Sequence, residues 1–162
     1  MLKKLCLLTS LLLLPLSVAA PESTTVDGFE HWTPASLADI TKSLASKAAT
    51  DPYHAATQRL PDFPHEYFLL AHREADGQAE WHGTEADVFV VQNGSATLIV
   101  GGTVPKAETT APNEKRGPSI DGGTRHKLAA GDIVRIPAGI PHQLLVAHGE
   151  NFTYFVLKIK GY

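Results

Sequence analysis

The sequence predicts an all-β protein, an antiparallel barrel or double-sheet jelly roll, preceded by one helix. From residue 65 onward, apolar side chains recur at every second position in short runs. Gly, Pro, Asn and Asp separate these runs, and no helical periodicity lies between them. Many short strands without intervening helices are typical of antiparallel barrels and jelly rolls.

Composition excludes several classes of protein. The 162 residues correspond to roughly one domain, and 43% apolar with 19% charged residues is an ordinary globular balance. Collagen-like, low-complexity and disordered chains are therefore excluded. The formal net charge is −3 and there is no run of Lys or Arg, so we expect no nucleic-acid partner.

The first residues have the layout of a secretory signal peptide. Lys3 and Lys4 precede the apolar run 5–16, and small residues follow at 17–20. We predict cleavage after Ala19, export to the periplasm or the medium, and no membrane association after cleavage. The remaining chain would lack Cys6, the single cysteine, which excludes thiolate ligands and nucleophiles. The predicted organisation is a signal peptide over 1–19, a helical extension over 20–64 and a β-barrel domain over 65–162.

One helix and seven strands are predicted in the rest of the chain. Thr33 suits the N-cap and Pro34 the first turn of a helix that reaches Ala49, with apolar residues at helical spacing. Asp51-Pro52 ends it. The predicted strands are His65–His72, Asp87–Gln92, Ala96–Gly101, Thr124–Ala129, Ile133–Ile136, Gln143–Ala147 and Phe152–Lys160.

Two connections between these strands have distinct signals. Asn93-Gly94 is typical of a tight hairpin turn. The polar stretch 103–123, which contains prolines, is long for a loop inside a compact domain. It is interpreted either as a mobile surface excursion or as a lid over a pocket.

Candidate metal ligands lie in two separate segments. Glu80 and His82 alternate on one extended segment and therefore point to the same side. A turn after them can bring Asp87 back beside them, and His142 follows a second turn-rich segment. Two imidazoles with one or two carboxylates are ligands suited to Fe, Mn, Zn or Ni.

His126 is a weaker candidate. Alternation along Thr124–Leu128 places His126 on the same face as Leu128, which suggests that this face is inward. His126 is then either a general acid or base near the metal, or a hydrogen-bonded core histidine.

At these segments the chain resembles the cupin family. The second cupin motif, G-x5-P-x-G-x2-H, matches at Gly131, Pro137, Gly139 and His142. The family pattern continues to an Asn four residues later, where this chain has Val146. In the first motif, H-x-H-x3–4-E-x6-G, alignment on Gly94 places Glu80 at the first histidine, His82 at the second and Asp87 at the glutamate. The resemblance covers about residues 65–160.

The resemblance implies a small antiparallel jelly-roll barrel holding one divalent transition metal ion, Fe, Mn, Zn or Ni. The ligands carried over are His82, Asp87 and His142, with Glu80 as a fourth. The shorter Asp87 is expected to reach the metal only through water. Two carboxylates would give the site a charge of about −2, so that without an ion one carboxyl would have a raised pKa.

Three functions follow as alternatives. The first is a metal-dependent enzyme acting on a small polar molecule, of isomerase, lyase or dioxygenase type, in which His126 or Glu80 moves a proton. The second is a non-catalytic module that binds a small-molecule ligand. The third is a structural or oligomer-forming cupin, for which the strand Phe152–Lys160 could serve in a homodimer.

Overall fold

A computed structural model describes residues 26–162; the predicted signal peptide lies outside this range. The helix α1 runs over Pro34–Ala48 and confirms the predicted helix within one residue. The Thr33 side chain accepts a hydrogen bond from the Ser36 backbone N–H, and Pro34 occupies the first turn. None of the helices among the described residues is both long and apolar enough to cross a membrane.

Ten antiparallel strands follow the helix and form one curved sheet. Its order is β1-β2-β10-β4-β9-β3-β6-β5, and β7 and β8 each pair with β4. The strands are β1 (Ala55–Asp62), β2 (Glu66–Arg73), β3 (Ala79–His82), β4 (Glu85–Val100), β5 (Glu108–Ala111), β6 (Glu114–Gly117), β7 (Thr124–Ala129), β8 (Ile133–Ile136), β9 (His142–Leu145) and β10 (Phe152–Lys160). The predicted all-β class is confirmed.

The long strand β4 replaces two predicted strands, so the hairpin turn predicted at Asn93-Gly94 is wrong. The first part of β4 pairs with β10 and β8, and the part after residue 94 pairs with β7 and β9. The backbone N–H of Ser95 donates to the Asn151 carbonyl, so pairing with the neighbouring chain segment continues past the glycine. Gly94 has a φ of +79° next to a register shift, which bends the strand instead of reversing it.

Two further elements were not predicted. The strand β1 lies inside the segment predicted as a helical extension and is an edge strand with no fully buried residue and a proline near its end. The stretch 103–123 contains the hairpin β5–β6, whose second strand pairs with β3. Neither element has a clear apolar alternation, which is why periodicity missed both.

The core lies between the inward faces of the curved sheet. Buried residues alternate along β4 and β10, as expected for strands with one face inside. The main cluster consists of Ala71, Phe89, Val91, Ala96, Leu98, Leu128, Ile136, Leu144, Val146, Phe152, Tyr154 and Val156. Several of these apolar residues border a group of polar side chains.

Candidate metal centre

Strand register brings the predicted ligands of two distant segments together. Glu80 and His82 are alternate residues of β3 and share a face. His142 opens β9 and is the direct cross-strand partner of Glu80. Gly139 precedes it with a φ of +76° and donates its backbone N–H to the His82 carbonyl, so that the Pro-Gly turn joins β3.

Three side chains converge on one point. Glu80 Oε2 lies 3.4 Å from His82 Nε2 and 3.7 Å from His142 Nε2. Glu80, His82 and His142 each offer a ligand atom, and these atoms all lie within 4.8 Å of one another. Ligands bound about 2.0–2.2 Å from a common ion are themselves about 3–3.5 Å apart, which is close to the separations here.

Outer contacts orient both imidazoles towards this point. His82 Nδ1 lies 2.6 Å from the Glu114 carboxylate, and His142 Nδ1 lies 3.2 Å from the Ile140 carbonyl oxygen. If each Nδ1 carries the proton and donates it, each Nε2 carries a lone pair. Both Nε2 atoms are buried without a hydrogen-bond partner among the described residues. Buried polar atoms normally have partners, so the donor set fits a bound metal ion.

Asp87 stands beside these three residues but is held by a lysine. Its Oδ2 atom lies 3.2 Å from His142 Nε2 and 3.5 Å from His82 Nε2. Its Oδ1 atom lies 2.5 Å from Lys158 Nζ, on the directly opposed residue of β10. Both side chains are nearly fully buried, at 1% and 8% exposure. Binding of the metal by Asp87, whether directly or through water, stays a prediction.

The hairpin β5–β6 supplies two more residues to the site. Glu114 is the cross-strand partner of His82, and Arg116 is that of Glu80. Arg116 Nη1 lies 2.5 Å from Glu80 Oε1, on the side away from the histidines, and Arg73 Nη2 lies 3.7 Å from the same oxygen. Within the stretch 103–123, these two residues of β6 therefore form part of the wall of the site.

These contacts keep both carboxylates ionised. Burial alone would raise the pKa of Glu80, but its close contact with His82 and the charges of Arg116 and His142 hold that pKa well below its usual value. Burial also acts to raise the pKa of Asp87, and the His142 contact and the Lys158 charge outweigh it, so this pKa is lowered as well. The raised carboxyl pKa expected for an ion-free site is therefore wrong, because neighbouring cations offset the repulsion.

A cavity of about 250 Å³ opens next to the centre. Leu69, Ala71, Phe89 and Val156 form its apolar walls, and Tyr154 accepts a 3.3 Å hydrogen bond from Arg73 Nε at its edge. Its volume lies just below the range of about 300–1,000 Å³ that is usual for small-molecule sites. The arrangement accommodates a small ligand in contact with Glu80 and His82, two of the three residues of the candidate centre.

The structure does not bring His126 to this site. Its side chain is exposed and lies 3.1 Å from the Thr124 hydroxyl. The inward face expected from Leu128 is wrong at this position. Within residues 26–162, β7 pairs only with β4, and Leu128 is the one buried residue of this strand.

Four charged residues of the site were not identified from the sequence: Arg73, Glu114, Arg116 and Lys158. Lys158 had a signal, since it alternates in phase with the apolar residues Phe152, Tyr154 and Val156 of β10 and so had to face inward. Glu114 and Arg116 had none, because only the unpredicted pairing of β6 with β3 places them there.

Fold and site together define a class of protein: an antiparallel double-stranded β-helix with a His- and carboxylate-lined centre. No protein-family model matches the chain, and no curated protein sequence matches it. Several solved structures, however, match its fold. The protein TT1209 from Thermus thermophilus has a TM-score of 0.52 at 16% identity, covering 74% of this chain and 92% of that one.

Two other solved structures carry the name of the fold. A conserved protein with a double-stranded β-helix domain from Klebsiella pneumoniae has a TM-score of 0.50 at 16% identity, covering 66% of this chain and 77% of that one. The cupin domain of Cnp3 from Schizosaccharomyces pombe has a TM-score of 0.50 at 9% identity, covering 65% and 64%. The chain has the cupin fold, which confirms the resemblance found in its motifs.

Proposed function

We propose that this chain is an exported single-domain cupin that holds one divalent transition metal ion, Fe, Mn, Zn or Ni, and acts on a small polar molecule. One observation carries the proposal: two buried imidazole Nε2 atoms without hydrogen-bond partners among the described residues converge with the Glu80 carboxylate. When bound there, the ion supplies Lewis acidity and open coordination positions for a small oxygen-bearing molecule.

The residues of the chain divide the remaining work. Glu114 orients His82, and the Ile140 carbonyl orients His142. The apolar wall of Phe89 and Val156 limits water around a ligand in the cavity. The Tyr154 hydroxyl oxygen accepts a hydrogen bond from Arg73. Because burial raises the pKa of this phenol, the hydroxyl stays protonated and can donate a hydrogen bond to a ligand. Isomerase, lyase and dioxygenase reactions are the candidate activities of such a site.

A second candidate function is a non-catalytic module that binds a small ligand. The observation that favours it is the lack of a suitable proton carrier among the residues predicted for that role. Glu80 was expected to move a proton, but its lowered pKa makes it a weak base and keeps it ionised near neutral pH. His126, the other expected carrier, lies outside the cavity.

Elemental analysis of the full chain after metal loading tests the metal centre. The wild-type protein is expected to retain about one ion per chain, and His82→Ala and His142→Ala to lose it. His126→Ala is the matched control, since it removes an exposed imidazole and should leave the metal content unchanged. Folded wild-type protein that binds no ion from Fe, Mn, Zn or Ni would contradict the proposal.

A further inference from the structure

Six charged side chains surround the candidate centre, and their charges balance. The carboxylates are Glu80, Asp87 and Glu114; the cations are Arg73, Arg116 and Lys158. A seventh charged residue at the cavity, Arg59, already pairs with Asp62 at 2.6 Å and stacks over the Tyr67 ring. Without a metal ion, the six facing side chains have a net charge of zero.

Two of these three carboxylates already have a close cation. Lys158 Nζ lies 2.5 Å from Asp87, and Arg116 Nη1 lies 2.5 Å from Glu80. A divalent ion would therefore add two positive charges that the side chains of the cavity do not offset. An unbalanced charge in a partly buried site is costly, and a bound anion relieves that cost.

The cations also have hydrogen-bond donors to spare. The buried Lys158 ammonium has three N–H donors and the Arg116 guanidinium has five, and each has one carboxylate oxygen within 3 Å among the described residues. Arg73 is the least committed of the three cations, because its nearest carboxylate oxygen is 3.7 Å away. Ammonium and guanidinium donors of this kind bind carboxylates by charge-assisted hydrogen bonds.

We propose that the metal-loaded cavity takes a small organic carboxylate, bound through Arg73, Arg116 and Lys158. This inference rests on the proposed metal centre and adds the charge of its ligand. The balanced walls attract no anion strongly by themselves, so the metal charge sets the affinity and the three cations orient the carboxylate.

The test is calorimetric titration of the full chain loaded with Zn²⁺, with malonate and its neutral analogue malonamide as probes. Malonate is expected to bind at one site per chain and at least about tenfold more tightly than malonamide. Zinc content is measured before and after titration, so that loss of zinc to malonate is recognised.

Two variants and a control locate the binding. Arg73→Met and Lys158→Met are expected to retain one zinc ion and to weaken malonate binding by about ten- to a hundredfold, since each removes a charged hydrogen-bond donor. Arg125→Met removes an exposed guanidinium of β7, outside the cavity, and should bind malonate as the wild type does. Two independent variants are used because one of them could unfold.

The outcomes separate this inference from the proposed metal centre. Zinc bound at one ion per chain, with equal affinity for malonate and malonamide, would overturn the carboxylate inference alone. Folded Arg73→Met and Lys158→Met variants that bind malonate as tightly as the wild type would also overturn the carboxylate inference alone. A wild-type chain that binds no zinc or other divalent ion would overturn the metal centre and this inference together.

Discussion

At the scale of single residues, the site is a set of direct cross-strand pairs. Glu80 faces Arg116, His82 faces Glu114, and Asp87 faces Lys158. Opposed residues of antiparallel strands have their Cβ atoms about 4.5–5.5 Å apart, so that each metal-facing side chain has a partner to neutralise or orient it. The carboxylates that replace the usual histidine and glutamate of the first cupin motif are thus accommodated by cations on neighbouring strands.

The Glu114–His82 contact gives the first prediction. Glu114→Gln keeps the shape of the side chain but removes the charge that orients and polarises His82, so we expect divalent metal affinity to fall by about ten- to a hundredfold. Competition with a chelator of known affinity measures this change. Glu150→Gln is the control, because Glu150 is exposed and away from the site. Equal affinities of the two variants would contradict the role of Glu114.

The buried pair of Lys158 and Asp87 gives the second. Lys158→Met leaves a buried carboxylate without its cation, which is expected to lower the free energy of unfolding of the metal-free protein by about 3–5 kcal/mol. A bound divalent ion would replace part of the missing charge. Urea unfolding should therefore show a smaller difference between variant and wild type when Zn²⁺ is present. The same difference with and without Zn²⁺ would be evidence that the ion does not compensate for the ammonium group.

At the scale of elements, β4 and the hairpin β5–β6 build the site. The strand β4 carries Asp87 in the part that pairs with β10, and beyond Gly94 it pairs with β9, whose first residue is His142. The hairpin places Glu114 and Arg116 against β3.

Gly94 gives the third prediction. A Cβ at this position would lie on the Asn151 carbonyl oxygen, and the residue has a positive φ. Gly94→Ala is therefore expected to lower the free energy of unfolding by about 3–5 kcal/mol, from left-handed strain and the clash together. Gly131→Ala is the matched control. Its φ is +93°, but a Cβ added there would have no heavy atom of the other described residues within 4 Å beyond its chain neighbours, so only about 1–2 kcal/mol is expected. Equal losses in urea unfolding would show that the Asn151 approach is not decisive.

At the scale of the whole molecule, the N-terminal helix and β1 belong to the same packed body as the barrel. The helix α1 packs against β1 and β2, and Leu44 and Ala48 are its fully buried residues. The Trp32 ring, just before the helix, packs at a tilt against the rings of Phe68 and Phe155. This contact covers part of β10, which lies between β2 and β4 in the sheet. Formation of a homodimer through β10 stays a prediction.

The helix contact gives the fourth prediction. Leu44 is 0% exposed, so Leu44→Ala is expected to lower the free energy of unfolding by about 2–5 kcal/mol. Ser43→Ala, at the neighbouring exposed position, should change it by less than about 0.5 kcal/mol. Urea unfolding measures both. A loss from Leu44→Ala no larger than that from Ser43→Ala would mean that the helix does not contribute to the core.

The ion pair of Asp62 with Lys160, which joins β1 to β10, gives the fifth prediction. Hydrogen bonds from Lys160 and Arg59 lower the pKa of Asp62. A carboxyl whose folded pKa lies below its unfolded value of about 3.9 stabilises the fold above that value, and this contribution is lost as the pH falls through the folded pKa. The difference in urea midpoint between wild type and Asp62→Asn should therefore be present at pH 7 and shrink below about pH 4. A difference that is constant with pH would exclude this pair as its source.

Local patterns determined much of the fold and part of the site. The helix is confirmed because its cap, its proline and its apolar spacing all lie within one short segment of the chain. Most strands follow from period-two alternation where one face is buried. His82 and His142 were identified because the spacing of turn residues in each cupin motif constrains where the following side chain points, and Glu80 follows from alternation with His82.

Only the tertiary structure decided what surrounds those ligands. Which residue faces Glu80, His82 or Asp87 depends on strand register between segments that lie far apart in sequence, as Asp87 and Lys158 do. A register shift of one residue would turn every side chain of a strand to the other face, and neither composition nor periodicity specifies that choice between strands. For the same reason the sequence alone indicated a negatively charged centre, whereas the folded protein surrounds it with balancing cations from β2, β6 and β10.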